Sequence, residues 1–397
     1  MIYLDVTSAS ASAVNMGVQR TVRGLHAHLQ KHHAVTPVRW DFWARRYARL
    51  TARERNFLEN PFASYEGPCG TPGRWDARYY YEDWKDALTR RQRGVSHETI
   101  LNRDDLLLIP DLCWDPRIHA WSKLAAIGGR KIAVFHDAIP MRIPGQADSH
   151  DALFSRYMLA LARLDGVICI SQEVKDDLLG FWARNQVPPK PIYVLPWPVP
   201  FESARPQNAP RPEAQKVIYV ARLKLRKNHL VLLAACEKLW SQGQAFALDL
   251  IGIEDAFTDT RKILREVRRL ADRGHPVRWR KHISETELAE AYRDCSFTAF
   301  PSRIEGFGLP IIESLWHGRP VICGRDGAIG EVAAGGGCYQ IDQNNADELA
   351  SAIQLLLVDR AVYDRLYQEA LHRSFRSWGD YLRDLDSVLN LEPSAAR

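Results

Sequence analysis

The sequence predicts an α/β protein made of two Rossmann-like halves with a cleft between them. Three observations carry this expectation. Short apolar runs of strand length alternate with helical segments, the pattern of a parallel sheet covered by helices on both faces. A proline-rich passage, "VPPKPIYVLPWPVPFESARPQNAPRPE", interrupts the alternation once and reads as a linker, because proline blocks both helix and central strand. The chain has 397 residues, more than one core ordinarily organises.

In chain order, "MIYLDV" is a first strand and "TSASASAVNMG" a loop of small residues. The helix "VQRTVRGLHAHLQKH" follows, with Val18, Val22, Leu25 and Leu29 at helical spacing. "DLLLIPD", "KIAVFHD" and "GVICIS" are strands that each end in a polar residue. Ligands of parallel sheets bind at such carboxyl ends, where His136, Asp137, Ser171 and the Gly17 loop all fall. Beyond the linker come "KVIYVARLK", the helix "NHLVLLAACEKLWSQG", "FALDLIGIE", a basic helix, "PVRWRKHI" and "CSFTAF". The predicted domains are residues 1–200 and 201–377.

Composition excludes several classes. With 46% hydrophobic and 25% charged residues the chain is neither disordered nor fibrous. Apolar runs break at charges well short of a bilayer span, and the N-terminus has no basic leader, so a cytoplasmic protein is expected. Seven scattered cysteines (69, 113, 169, 236, 295, 323, 338) without Cys-x-x-Cys argue for reduced thiols, with neither a disulfide framework nor a metal site. Lys and Arg outnumber Asp and Glu by 26 to 21 up to residue 200 and balance them at 27 to 27 beyond. The excess is most visible in "RWDFWARRYARLTARER", which reads either as a solvated amphipathic helix or as a face toward phosphate, nucleic acid or an anionic membrane.

The chemistry concentrates in "FPSRIEGFGLPIIESLWHGRP". A helix beginning near Pro310 and ending at Gly318 would direct the amides of Gly306, Phe307, Gly308 and Leu309 at an anion such as phosphate. Glu313, expected on the first turn, can accept hydrogen bonds from vicinal hydroxyls such as those of a ribose. Glu305, before the turn, can reach a second polyol, giving one carboxylate per sugar with a diphosphate between. Taken alone, the two glutamates could equally be a dipole-satisfying acid and a solvated loop residue. A second signal is "YVARLKLRKNH", where Arg222 and Lys227 follow a strand and could neutralise a diphosphate leaving group without a metal. Ser284 followed by Glu287 fits a capping box and needs no catalytic role.

"ARLKLRKNH", "PSRIEGFGLPIIES" and "HGRPVICGRDGAIGEV" resemble segments of the family 4 glycosyltransferases, retaining enzymes with the GT-B fold. "MGVQRTVRGL", "VFHDAIPMRIPG", "VICISQEVKDDL" and "RSFRSW" extend the resemblance over nearly the whole chain, except residues 40–105. The resemblance implies that Arg222 and Lys227 hold the donor diphosphate with help from the Gly17 loop. It implies that Glu305 and the amides of Phe307 to Leu309 hold the transferred sugar, Glu313 the ribose and His136 the reacting carbon, with Ile283 at the base. The diphosphate contact is given to Lys227 rather than Arg226 on spacing alone. It further implies an acceptor-binding first domain onto which a C-terminal helix (378–397) packs back, and no cofactor or metal beyond the nucleotide-sugar co-substrate.

"FHDAIP" and "GVQRTVRGL" resemble bacterial mannosyl- and rhamnosyl-type transferases of surface polysaccharide assembly. The expectation is therefore a GDP-mannose-type donor and a growing or lipid-linked glycan acceptor, at the inner face of the membrane and without nucleic acid. Alternatives are a sugar-nucleotide epimerase of the same fold, separable by incubating donor without acceptor, and a non-catalytic nucleotide- or glycan-binding protein. An NAD-dependent enzyme is disfavoured because "GRDGAIG" has the wrong glycine spacing and is not expected at a βαβ start. The only "DLD", at Asp384 and Asp386, is expected in the C-terminal helix, not at a strand end.

Overall fold

Runs of apolar residues too short for helices become strands buried on both faces, as parallel sheets between helices require. The computed structural model describes residues 1–11, 17–61, 102–113, 115–124, 128–143, 150–199, 212–213, 215–255, 260–281 and 283–391, with Lys85, Leu88 and Arg205. Cys69 and most of the passage 200–214 lie outside the described residues. The chain divides into two units, one of Met1–Gly70, Arg74–Pro200 and Arg376–Arg397, the other containing Phe201–Phe375.

The first unit holds β1 (Ile2–Asp5), β2 (Val35–Asp41), β3 (Arg46–Arg49), β4 (Leu106–Ile109), β5 (Arg130–Phe135), β6 (Gly166–Cys169) and β7 (Ile192–Val194). Their order is β3-β2-β1-β4-β5-β6-β7, with β1 and β4 adjacent. Every pairing is parallel except β2 with β3. The second unit holds β8 (Lys216–Val220), β9 (Ala247–Ile251), β10 (Val277–Arg280), β11 (Phe297–Phe300), β12 (Val321–Gly324) and β13 (Cys338–Ile341). Its order, β10-β9-β8-β11-β12-β13, puts β8 beside β11, and all its pairings are parallel. Each sheet reverses its strand order at one point, β1/β4 in the first and β8/β11 in the second. Such switch points are where open α/β sheets bind ligands.

Three local expectations are corrected. The basic segment 39–55 is not one helix. It is the end of β2, a turn, β3 and then the helix Ala52–Glu59. Asp41 Oδ1 accepts the amides of Trp43 and Ala44 at 3.0 and 2.9 Å, and Arg45 takes φ 52°, so the turn is closed by an Asx bond and a left-handed residue. The helix starts only at Thr51, which with Glu54 forms a capping box. The proline-rich passage is not all linker, since Ile192–Val194 pair with Val167–Cys169. An edge strand tolerates flanking prolines because one of its sides carries no ladder. The glycines of "GRDGAIG" do stand in a strand–helix–strand unit: Gly324 ends β12, and Gly327 and Gly330 lie on the helix Gly327–Ala333 that leads to β13. Gly330 serves packing there: a Cβ would lie 2.2 Å from the Arg325 carbonyl.

The helix Trp378–Leu389 lies in the first unit. Trp378 stacks on His28 at 4.8 Å, and Gly24 is required beneath it because a Cβ there would meet the indole at 2.3 Å. His33 Nε2 meets Asp386 at 2.8 Å, and Tyr381 stacks on Trp197 at 5.1 Å. In the second unit Arg205 gathers the carboxyl ends of two helices, Leu309–Trp316 and Arg360–His372. Its guanidinium donates to the carbonyls of Leu371 at 2.8 Å, Arg373 at 3.1 Å, Leu315 and Trp316 at 3.3 Å, and also Ala370. Cations at helix C-termini are favoured by the dipole. Among the described residues, no helix is long and apolar enough to cross a membrane.

Candidate active site

In the second unit, two loops leave the switch point side by side. The loop after β8 carries Arg222, Lys224, Arg226 and Lys227, the last two on a short 3-10 turn, Leu225–Lys227. Asn228 follows at φ 62° and opens the helix His229–Ser241. Asparagine tolerates this left-handed conformation better than most residues. The loop after β11 carries Ser302 and Glu305. The two loops are tied together by the Arg303 amide donating to the Arg226 carbonyl at 3.0 Å, and by Arg226 Nη1 donating to the Ile304 carbonyl at 2.8 Å.

Glu305 is the centre of this cluster. Its Oε1 receives Lys227 Nζ and the Ser302 hydroxyl, and its Oε2 receives Arg226 Nη1 at 3.2 Å. Burial alone would raise its pKa, but Lys227 and Arg226 outweigh it and hold the carboxyl at about 2. For Lys227, burial is the larger influence: it brings the ammonium down to about 8 although Glu305 opposes it, with Arg226 adding repulsion. Arg222 and Lys224 are held by a different acid, Asp255, at 3.0 and 3.4 Å. The expected partnership of Arg222 with Lys227 is thus split over two carboxylates.

The helix Leu309–Trp316 begins at Gly308, whose φ of 107° admits glycine far more easily than other residues, and Pro310 sits in its first turn. Among the described residues no side chain caps it. Gly306 and Phe307 precede the cap, so this amide end adjoins the Glu305 cluster in sequence and is of the kind that favours an anion. Glu313 is corrected in position: it is the fifth residue of the helix, on the second turn, because the helix starts at Leu309. It is buried and accepts Tyr292 Oη at 2.9 Å. Ile283 packs against Ile218, Ile251, Ala291, Tyr292 and Cys295, a core contact. Ser284 and Glu287 form the capping box of the helix Glu285–Asp294.

In the first unit, Gly17 is the first residue of the helix Gly17–Leu29, while residues 12–16 of its loop lie outside the described residues. His136 follows β5, buried, with Nε2 2.7 Å from the Pro110 carbonyl and its ring stacked on Trp197 at 6.0 Å. That bond makes Nε2 the protonated nitrogen. Burial lowers its pKa, so the imidazole is neutral at pH 7. At the β1/β4 switch point Arg117 bridges Asp5 at 3.0 Å, Asp111 at 3.2 Å and Asp115 at 2.7 Å. Ser8 donates its amide and hydroxyl to Asp111 at 2.9 and 2.6 Å, and Tyr47 donates to Asp5 at 2.8 Å. This network fixes the start of the loop that leads to Gly17.

Among the residues expected from sequence, the structure joins Lys227 to Glu305 directly and sets Glu313 on Tyr292. Sequence reasoning missed Ser302, Asp255, Tyr292 and the Arg117 network, and it set Arg226 aside. Ser302 and Arg226 flank assigned residues and were open to notice. Asp255 and Tyr292 reach the site only through sheet order, which no local pattern announces.

Residues 200–373, close to the bounds of the second unit, match the family model described as glycosyl transferases group 1. The match takes in most of the second unit and under half of the chain. The serotype-specific mannosyltransferase WbdA of Escherichia coli is 28% identical to this chain over 250 residues, covering 58% of the chain and 30% of WbdA. The chain therefore spans under a third of that relative's length. Among solved structures, the sucrose-phosphate synthase of Thermosynechococcus elongatus aligns with a TM-score of 0.67 over 98% of both chains at 17% identity. HepE of Anabaena, solved with UDP and glucose, aligns with a TM-score of 0.67 over 98% of this chain and 99% of its own at 15% identity. The fold is GT-B, of two Rossmann-like domains, and the chain resembles bacterial mannosyltransferases, among them an O-antigen chain mannosyltransferase of Escherichia coli, 31% identical over 83 residues, covering 21% of this chain and 22% of its own.

Proposed function

We propose that the protein is a retaining glycosyltransferase that moves a hexose or deoxyhexose from a nucleotide-sugar to a growing or lipid-linked glycan of a bacterial surface polysaccharide. The observation that carries this is the cluster at the β8/β11 switch point, where basic residues and Glu305 converge within a unit that matches the group 1 glycosyl transferases. The similarity to WbdA makes GDP-mannose the first donor to test.

In this proposal Arg222 and Lys227 neutralise the charge that develops on the departing diphosphate. The acceptor hydroxyl attacks the anomeric carbon from the face on which the diphosphate leaves, and the diphosphate takes the hydroxyl proton. No protein nucleophile and no metal takes part, so catalysis is positioning plus charge stabilisation. Glu305 faces the transferred sugar, Glu313 the ribose, and neutral His136 the reacting carbon. The hairpin turn 42–45, with Trp43 60% exposed, is the part of segment 39–55 suited to a cytosolic membrane face, because Trp40 and Tyr47 are buried.

A thermal-shift screen of GDP-, UDP-, dTDP- and ADP-sugars, followed by transfer from the best donor to a mannose-containing acceptor, tests the proposal. Stabilisation by one nucleotide class and formation of a new glycoside are expected. Conversion of the donor to its epimer without acceptor, or binding with no transfer to any glycan, would replace it.

A further inference from the structure

Arg222, Lys224, Arg226 and Lys227 fall into two pairs, each facing a carboxylate: Arg222 and Lys224 on Asp255, Arg226 and Lys227 on Glu305. The second pair has the construction of an anion site. A guanidinium, an ammonium and the Ser302 hydroxyl converge on both oxygens of one carboxylate. Arg226 is held in place from both sides, since its Nη1 also donates to the Ile304 carbonyl at 2.8 Å and its own carbonyl accepts the Arg303 amide at 3.0 Å. Lys227 and Glu305 are each nearly enclosed, at 12% and 10% side-chain exposure, so water compensates their charges poorly.

We infer that Arg226 and Lys227 form one diphosphate-binding pair, that Glu305 fills it in the ligand-free chain, and that an arriving diphosphate displaces the carboxylate from it. The inference rests on the donor site proposed above and adds Arg226 as a donor ligand. Glu305 meets both cations with one carboxylate. A diphosphate brings more charge and more acceptor oxygens to the same donors, and charge-assisted contacts to phosphate favour the bidentate guanidinium. The displaced Glu305 is then released from its cations and can turn to the transferred sugar. The step exchanges ion pairs and makes or breaks no covalent bond.

Calorimetry of inorganic pyrophosphate against the full chain at pH 7 tests this without reference to nucleoside or sugar. The wild type should bind, Arg226→Gln should bind roughly tenfold more weakly, and Glu305→Gln roughly tenfold more tightly, the scale of one charge-assisted contact. Should Glu305→Gln fail to fold, Ser302→Ala loosens Glu305 while keeping its charge, and should tighten pyrophosphate about threefold, the scale of a weak hydrogen bond. No binding by the wild type, or affinities that Arg226→Gln and Glu305→Gln or Ser302→Ala leave unchanged, would overturn the inference. Absence of sugar transfer would sink the proposed function and leave these affinities standing, whereas equal affinities in an active transferase would sink only the exchange.

Discussion

The residue that governs the site is Glu305, and its surroundings set apart what its substitution and that of Glu313 should do. In the proposed reaction Glu305 faces the part of the donor that changes charge, so Glu305→Gln should chiefly depress kcat, by about 10²-fold. Glu313 is assigned to the ribose, which does not react, so Glu313→Gln should raise the donor KM more than it lowers kcat. Steady-state kinetics of both variants decides this, and exchanged patterns would mean exchanged roles. Glutamine is preferable to alanine at 313, where truncation would leave the Tyr292 hydroxyl without its carboxylate and cost about 1–3 kcal/mol of stability. Alanine at Arg222 or Lys227 should lower kcat/KM about 10²-fold. Lys227 also predicts a pH dependence. Burial holds its ammonium at about 8, and a bound diphosphate would raise that value. Binding should therefore take up a proton above pH 8, and affinity should fall as pH rises beyond it. Calorimetry at pH 8.5 in two buffers of different ionisation enthalpy measures that uptake, and none would place Lys227 away from the ligand.

At the level of elements, strands were the most legible part of the sequence. "KVIYV", "ALDLI" and "FTAF" became β8, β9 and β11 because an apolar run too short for a helix has few ways to be buried other than in a sheet. The failures have local causes. Segment 39–55 has helical-looking charge spacing, yet the Asx turn at Asp41 and the pairing of Val38–Asp41 with Arg46–Arg49 override it. Ile192–Val194 was hidden by its prolines, and the turn of Glu313 by uncertainty over where the Gly308 cap lies. Half of the site was readable from motif spacing. Asp255 and Tyr292 were not, because their places depend on strand order rather than on neighbours in the chain. Arg205 was likewise unremarkable in sequence, but it joins the C-termini of the helices Leu309–Trp316 and Arg360–His372. Arg205→Ala should destabilise the second unit by about 2–4 kcal/mol, since several carbonyls lose a charged donor. Urea unfolding that matches the wild type would show that water replaces those bonds freely.

For the whole molecule, a unit that matches the group 1 glycosyl transferases is joined in one chain to a second Rossmann-like unit, and the basic residues and Glu305 of the proposed reaction lie on the loops after β8 and β11. If the hairpin turn meets an anionic surface, liposome binding should rise with anionic lipid, fall with salt and weaken in Trp43→Ala. Equal binding to neutral and anionic vesicles would return the turn to a solvated role. The claim that the diphosphate leaves onto protein cations and takes the proton itself is tested most directly by the product. GDP-mannose, or whichever donor the screen selects, is incubated with acceptor and EDTA, and the new linkage is assigned by NMR. Retention of the donor's anomeric configuration at an undiminished rate, slowed about 10²-fold in Lys227→Ala, is the predicted result; an inverted linkage, or activity that vanishes with EDTA and returns with Mg²⁺ or Mn²⁺, would contradict it.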